Sequence, residues 1–185
     1  IAAFIPKGDK DEDATGVIAR KSSQTRPLGL KNSDNKLVAN VSNWLFNPIS
    51  QSCNKIQNGF IKGRQFLHNV VGVDSHLRLC SRDDLVMNLP IAPSFDFSSA
   101  FASVFHNYVH WVLEHMKASP EKIRLIESFF FYCFAWIEGK GGLQFFLWYL
   151  SGIIQGCPLS GSIFAWIVDP ILNHIEHNLQ EYILS

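Results

Sequence analysis

A stretch of 28 residues without a charged side chain, from Gly141 to Val168, constrains the fold of this chain more than any other feature. Such a stretch has to be buried, and its length alone would suffice for a membrane span. Gln144, Gln155 and Pro158 interrupt it, together with several glycines and serines. We therefore expect a strand, a turn and a helix within a protein core, with a true membrane span as the alternative.

The spacing of apolar residues predicts a helix-rich chain in which strands occur singly. The predicted helices cover residues 35–46, 63–80, 98–116, 120–137 and 158–182, and the predicted strands cover 91–97 and 145–154. Residues 139–142 are rich in glycine and predict a turn. The aromatic run from Phe129 to Trp136 has no polar face, so we expect a buried helix or one covered by a partner. This order indicates an α+β domain with a small antiparallel sheet backed by helices.

Charge is distributed unevenly, although the formal net charge of the whole chain is zero. Residues 14–82 contain ten basic and two acidic residues, a net charge of +8, whereas residues 83–185 contain four basic and ten acidic residues, a net charge of −6. A basic block beside an acidic one favours polyanion binding next to a metal-holding region, although two solvated faces of one domain would look the same.

The four cysteines are widely spaced, which predicts free thiols and an intracellular location.

Two segments contain residues suited to chemistry. Asp96 lies at the end of a predicted strand, among phenylalanines and before a predicted helix, so its carboxylate is a candidate metal ligand, helix cap or general base. Gln155 lies between two glycines that let the backbone approach a ligand, and its amide can bind a sugar or a base edge. A tight turn between strand and helix is the alternative. His106 and His110 have metal-ligand spacing on a helix, but we expect structural roles for both.

Taken together, several blocks of this sequence resemble the reverse transcriptases of non-LTR retrotransposons and group II introns. The resemblance rests on Phe4–Gly8, on Arg26–Leu37, on Gln57–Arg64, on Asp96 followed by Ala100 and Phe101, and on Gln155–Ser160. These blocks occur in the family's order, and the resemblance extends from Phe4 to about Leu172. It implies a right-hand polymerase fold, with residues 1–90 as a basic, fingers-like region and residues 91–185 as part of the palm.

The resemblance also implies a role for each matching residue. Asp96 would be a catalytic carboxylate that binds Mg²⁺ together with the backbone carbonyl of Phe97, in a two-metal nucleotidyl transfer. Phe101 would lie under the incoming sugar and exclude a 2′-hydroxyl. The remaining nucleotide-binding residues would be Lys7 and Arg26 on the triphosphate, with Gln155 and Gly156 beneath the nucleotide, and the template-binding residues would be Gln57 and Arg64. The implied partners are an RNA template and a DNA primer.

The sequence also departs from the family. A proline commonly follows the serine of the Gln155–Ser160 block, and here the residue is Gly161. The second palm motif, an adjacent pair of aspartates after that block, does not occur in these 185 residues, because the one aspartate pair, Asp83-Asp84, precedes Asp96. We therefore expect this chain to be a fragment of a larger polymerase and inactive by itself. The alternative is a non-catalytic subunit that packs through residues 128–168 into a larger assembly, of which a membrane complex is one kind.

Overall fold

The structure is a computed structural model that describes residues 2–7, 20–21, 24–80 and 93–179 of the chain. Six helices and two antiparallel ribbons follow one another along these residues. They are β1 (Ala2–Pro6), β2 (Thr25–Gly29), α1 (Ser33–Leu45), α2 (Asn47–Ser52), α3 (Leu67–Cys80), α4 (His106–His115), α5 (Pro120–Phe130), β3 (Phe134–Gly139), β4 (Gly142–Trp148) and α6 (Ser160–Leu179). Strand β1 pairs with β2, and β3 pairs with β4. The predicted α+β class is therefore confirmed.

The core forms where α4 packs against both α5 and α6. Its most deeply buried side chains include Val112 of α4, Ile126 of α5 and Ile163 of α6. Trp166 is fully buried in the same helix, with its ring edge-on to Phe46 and its indole N–H donating to the Ser50 hydroxyl at 3.0 Å. This hydrogen bond satisfies the one polar group of the indole, so the ring can be buried without an unpaired donor.

Local sequence signals set several helix boundaries as predicted. Pro48 ends the apolar period of α1 and lies in the first turn of α2, where a missing N–H costs nothing. Ser119 takes the extended backbone of an N-cap, and Pro120 is the first residue of α5. Helix α3 forms within the predicted range, although none of its residues is buried.

The prediction that α5 continues to Ile137 is wrong. The helix ends at Phe130, Tyr132 adopts a positive φ of 56°, and the chain then enters β3. The predicted turn is confirmed, since Gly139 pairs with Gly142 to close a hairpin of β3 and β4. The aromatic run therefore divides between a helix end and a strand, because apolar side chains at every position give no period to follow.

Three further boundaries differ from the predictions. Residues 93–97 form no regular strand, and 91–92 lie outside the described part of the chain. Residues 98–103 form turns, so the helix predicted from 98 starts only at His106. The strand predicted over 145–154 instead covers Gly142–Trp148, and most of its side chains are exposed. The predicted antiparallel sheet is thus two separate ribbons.

The uncharged stretch is divided as predicted, into strand β4, a loop and the first half of α6. The loop contains Ile153 and Ile154, both buried, and the helix contains the core residues Ile163 and Trp166. Protein side chains thus bury these apolar groups. Among the described helices, none combines the length and the hydropathy that crossing a bilayer would require.

Candidate functional site

Two predicted triphosphate ligands lie on one face of the β1–β2 ribbon. Arg26 is paired with Ile5, and the N–H of Lys7, just beyond β1, donates to the carbonyl of Gln24. Side chains alternate between the faces of a strand, so Lys7 and Arg26 share the face of Ile5 and are diagonal neighbours. Both residues are exposed. The residues that connect the two strands lie largely outside the described part of the chain.

The turn at Gln155 and Gly156 lies against this ribbon. The N–H of Gly29, the last residue of β2, donates to the carbonyl of Gln155 at 2.8 Å. A Cβ on Gly156 would lie 2.9 Å from the Gly29 carbonyl oxygen and 3.0 Å from Cδ1 of Leu28, and the φ of Gly156 is +97°. Only glycine meets both conditions. Since Leu28 lies on the same ribbon face as Arg26, the turn lies next to the face that contains the two cations.

The segment around Phe101 is attached to the other side of the same loop. The N–H of Ile153 donates to the carbonyl of Phe101 at 2.8 Å, and the N–H of Gly152 donates to that of Val104 at 2.6 Å. A Cβ on Gly152 would lie 3.1 Å from the backbone of Ala102. Residues 152–156 therefore join the two predicted nucleotide-binding segments, one through Gly152 and Ile153 and the other through Gln155.

Aromatic rings fix the position of Phe101 over helix α6. Its ring stacks on Phe164 with centroids 5.1 Å apart and planes at 19°. Phe97 meets Phe164 edge-on at 6.1 Å, and Phe60 meets Phe101 edge-on at 6.2 Å. These are the favoured geometries of aromatic pairs. Phe60 belongs to the Gln57–Arg64 block, so ring contacts bring that block to Phe101.

Asp96 lies next to this aromatic cluster, but its surroundings differ from those expected. The residue is exposed, in irregular chain, and turns rather than a helix follow it. Desolvation and helix capping therefore do not explain this carboxylate. Its location beside Phe97, whose ring contacts Phe164, brings it to the same end of α6 as Phe101.

A magnesium site is only partly represented. Nowhere in residues 2–7, 20–21, 24–80 and 93–179 do three His, Cys, Asp or Glu side chains group in a way that could hold a metal ion. Asp96 and the Phe97 carbonyl would supply two oxygen ligands, whereas Mg²⁺ demands a near-ideal octahedron. These residues therefore do not make a complete site for the ion.

The two predicted template ligands lie in the loop between α2 and α3, which Arg64 holds together. Its Nη1 donates to the carbonyls of Asn54 at 2.5 Å and Gln57 at 2.9 Å, and its Nη2 donates to those of Cys53 at 3.0 Å and Gln51 at 3.1 Å. A guanidinium suits this task because it presents several donors in one rigid plane. Arg64 thus has a structural role, and template contact through Gln57 and Arg64 stays a prediction.

Helix α6 also holds the start of that loop, at Asn54. The buried carboxylate of Asp169 accepts from the N–H of Asn54 at 2.6 Å and from the amide of Asn173 at 2.9 Å.

Burial, with the nearby Asp169 carboxylate as a smaller cause, raises the pKa of the Cys53 thiol to about 12. Cys53 therefore remains a neutral thiol in the core. All four cysteines are free, as predicted.

Two residues of the site were not recognised as such from the sequence. His106 is buried, its Nε2 lies 2.9 Å from the carbonyl of Gly152, and its ring stacks on Phe131. It thus holds the loop that leads to Gln155, in line with the predicted structural role. The ring of Phe101 stacks on Phe164. The sequence feature that could have identified Phe164 is its spacing, because it follows Ser160 by four residues and therefore lies on the same side of α6.

A cleft of about 500 Å³ opens beside Gln155. Its walls are mostly apolar and include Phe4 of β1, Phe146 of β4 and Ala102. Gln155 also lines this cleft, and Phe4 and Phe146 meet edge-on at 5.6 Å. An apolar cleft with few polar groups suits a flat organic ring.

The contacts described above connect the sequence blocks that resemble a template-directed polymerase. The sequence model for the reverse transcriptase (RNA-dependent DNA polymerase) family matches residues 5–184, and the chain belongs to that family.

Its type within the family is that of the non-LTR retrotransposons. A transposon relative, the Transposon TX1 uncharacterized 149 kDa protein of Xenopus laevis, is 25% identical over 161 residues, which cover 86% of this chain. The matched part makes up 12% of the length of that relative. Both the family and the retrotransposon type predicted from the sequence are therefore confirmed.

Proposed function

We propose that this chain forms the deoxynucleotide-binding part of an RNA-directed DNA polymerase. In this proposal residues 1–90 are the fingers-like region and residues 91–185 are part of the palm. The RNA template and the DNA primer of the family are the partners of the complete enzyme. Because the chain corresponds to 12% of its transposon relative, the activity of a whole retrotransposon protein is part of the proposal.

The proposed nucleotide site lies around the loop 152–156. Lys7 and Arg26 would bind the triphosphate from the ribbon face, where fixed positive charge favours the developing negative charge of the transition state. Phe101 would contact the sugar from its place on Phe164. Gln155 and Gly156 would lie beneath the base and its template partner.

The proposed template contact lies in the loop of Gln57 and Arg64. Arg64 would act through the loop conformation it maintains, since its donors contact four backbone carbonyls. The positive charge of residues 14–82 would then attract the template phosphates.

One observation carries the proposal. The carbonyl of Gln155 accepts the N–H of Gly29, and two residues earlier the N–H of Ile153 donates to Phe101. The blocks around Arg26, Phe101 and Gln155 lie far apart in the sequence. The loop 152–156, which contains Gln155, nevertheless forms backbone hydrogen bonds with the segments of the other two blocks. This convergence brings the three segments that the proposal assigns to nucleotide binding to a single loop.

Family members depend on divalent metals, and the proposed metal ligands here are Asp96 and the carbonyl of Phe97. They make up only part of a magnesium site, and the sequence has no aspartate pair after Gln155–Ser160. We therefore expect no primer extension by the 185-residue chain with Mg²⁺. Robust extension by this chain alone would overturn that part of the proposal.

Nucleotide binding tests the site itself. Isothermal titration of the chain with dCTP and Mg²⁺ should detect binding, and Lys7→Ala, Arg26→Ala and Gln155→Ala should each weaken it by about three- to tenfold, since each removes a hydrogen-bonding contact. Two exposed cations outside the site provide matched controls. Lys140→Ala in the β3–β4 turn and Arg124→Ala on α5 should leave the affinity unchanged.

Two results would contradict the proposed site. One is the absence of dCTP binding by a chain that unfolds cooperatively on heating. The other is an equal loss of affinity in the control variants and the site variants, which would indicate general charge attraction rather than a specific site.

A further inference from the structure

Phe60 has three features that its place in the proposed template loop does not explain. It has a φ of +60°, a left-handed conformation that is uncommon for a bulky residue. Its side chain is 59% exposed although it is fully apolar. Its ring nevertheless makes specific contacts, edge-on to Phe101 and directly over Gly161 of α6. Strained residues of this kind are found where a structure maintains a functional geometry.

The ring of Phe60 lies so close to Gly161 that a side chain at position 161 would collide with it. A Cβ at position 161 would lie 2.6 Å from Cδ1 of Phe60 and 3.1 Å from its Cγ. Any side chain at this position would therefore displace the ring of Phe60. The family's usual proline is replaced here by glycine, and the ring of Phe60 lies over this position.

The backbone on either side of Phe60 is also held in place. Ile61 is buried in the core, and the Arg64 guanidinium fixes the loop through its four carbonyl contacts. The ring therefore contacts Phe101 from a braced position, while the Phe101 ring also stacks on Phe164 with centroids 5.1 Å apart. Phe101 lies between one stacked ring and one edge-on ring, which restricts its side-chain rotation.

We propose that Phe60 is a positioning residue for sugar selection, because its ring over Gly161 holds Phe101 in the orientation that excludes a 2′-hydroxyl. This inference rests on the proposed function, in which Phe101 contacts the sugar. Exclusion by volume works only if the excluding ring cannot turn aside. Loss of Phe60 should therefore relax the discrimination between deoxynucleotides and ribonucleotides more than it changes affinity for the deoxynucleotide.

The test compares dCTP with CTP, which differ only in the 2′-hydroxyl. Their dissociation constants with Mg²⁺ are measured for the 185-residue chain and its variants. Wild type should bind dCTP more tightly than CTP. The selectivity ratio is the dissociation constant for CTP divided by that for dCTP. Phe60→Ala should lower this ratio by about three- to tenfold, the range expected from the loss of an aromatic contact. Phe60→Tyr, which keeps the ring, should retain the wild-type ratio.

Gly161→Ala supplies an independent perturbation of the same contact. The new methyl group should displace the Phe60 ring and lower the ratio. The double variant Phe60→Ala/Gly161→Ala should have the same ratio as Phe60→Ala alone, because no ring is left for the methyl group to displace. Phe66→Ala is the matched control, since Phe66 is an exposed phenylalanine outside the ring cluster. Thermal unfolding of each variant shows whether it is folded.

The outcomes separate this inference from the proposed function. If wild type binds neither nucleotide, the proposed function fails and this inference fails with it. If wild type prefers dCTP and Phe60→Ala keeps the preference, or loses affinity for both nucleotides equally, only the role of Phe60 is overturned. Additive effects of Phe60→Ala and Gly161→Ala on the ratio would also overturn it.

Discussion

Replacement of Arg64 by alanine should destabilise the whole chain. The guanidinium donates to four backbone carbonyls at 2.5–3.1 Å, and these carbonyls belong to the turn that ends α2 and starts the loop toward α3. A hydrogen bond to a charged group contributes about 1.5–3 kcal/mol when it is well buried. Arg64 is only partly buried, and water can replace some of the lost donors, so we expect a total loss of about 2–4 kcal/mol.

Two further variants make this expectation specific. Arg64→Lys keeps the charge but offers three donors on a point-like ammonium, which cannot reach four carbonyls arranged around a plane. It should recover less than half of the loss. Lys62→Ala removes an exposed cation two residues away and should change the free energy of unfolding by less than about 0.5 kcal/mol.

Urea denaturation followed by circular dichroism gives the free energy of unfolding and the m-value for each variant. The structural role predicts a lower midpoint at constant m for Arg64→Ala. An Arg64→Ala variant that is as stable as wild type but binds single-stranded RNA more weakly would refute this reasoning. It would support direct template contact, the role that the sequence predicted for this residue.

Two other predictions concern pH dependence and backbone strain. The hydrogen bond that His110 donates to the Glu127 carboxylate raises the pKa of His110. This histidine therefore adds stability that is fully present below its unfolded pKa of about 6.5 and is lost as pH rises through the higher folded pKa. His110→Gln should therefore lose stability at pH 5.5 and change little at pH 8.5, as measured by urea denaturation. Gly156→Ala should lower stability by about 1–3 kcal/mol and weaken dCTP binding, because alanine is strained at a φ of +97° and meets the Gly29 carbonyl. Gly139→Ala, with open space around the new methyl group, is its matched control in thermal unfolding and titration.

Either result could contradict the reasoning. A loss of stability in His110→Gln that is equal at both pH values would mean that the imidazole acts through packing alone. A Gly156→Ala variant that melts and binds dCTP like Gly139→Ala would mean that the turn relaxes without cost, and the contact between this turn and β2 would then contribute little to the site.

The sequence predicted the helices whose signals are local. The period of α1, its end at Pro48 and the start of α5 at Pro120 each depend on residues within a turn or two of the boundary. The start of α4 was missed by eight residues, because residues 98–105 keep apolar helical spacing while their backbone is used elsewhere. The carbonyls of Phe101 and Val104 accept hydrogen bonds from the loop at 152–153. Such tertiary pairing overrides local periodicity.

The hairpin of β3 and β4 shows a different limit. Its aromatic side chains were expected to be buried, yet Phe134, Trp136, Phe145 and Trp148 are all exposed and contact one another. A register shift after Ala135 leaves an extra residue in β4. This bulge explains why Phe145 and Trp148, three residues apart, lie on the same face. Neither the bulge nor the exposure of this face can be predicted from composition.

Within the site, the degree of exposure separates two kinds of motif residue. Gly29, Gly156 and Gly161 match or adjoin family blocks, and at each a side chain would collide with the neighbouring block. Their place in the pattern is explained by packing, with no reference to a ligand. Lys7, Arg26 and Asp96 are exposed, so their charged groups lie at the surface where a ligand can reach them. Charged groups held at the surface beside a tightly packed junction are what nucleotide binding requires. The chemical hypothesis therefore depends on these three residues, and the glycines explain how the chain brings their segments together.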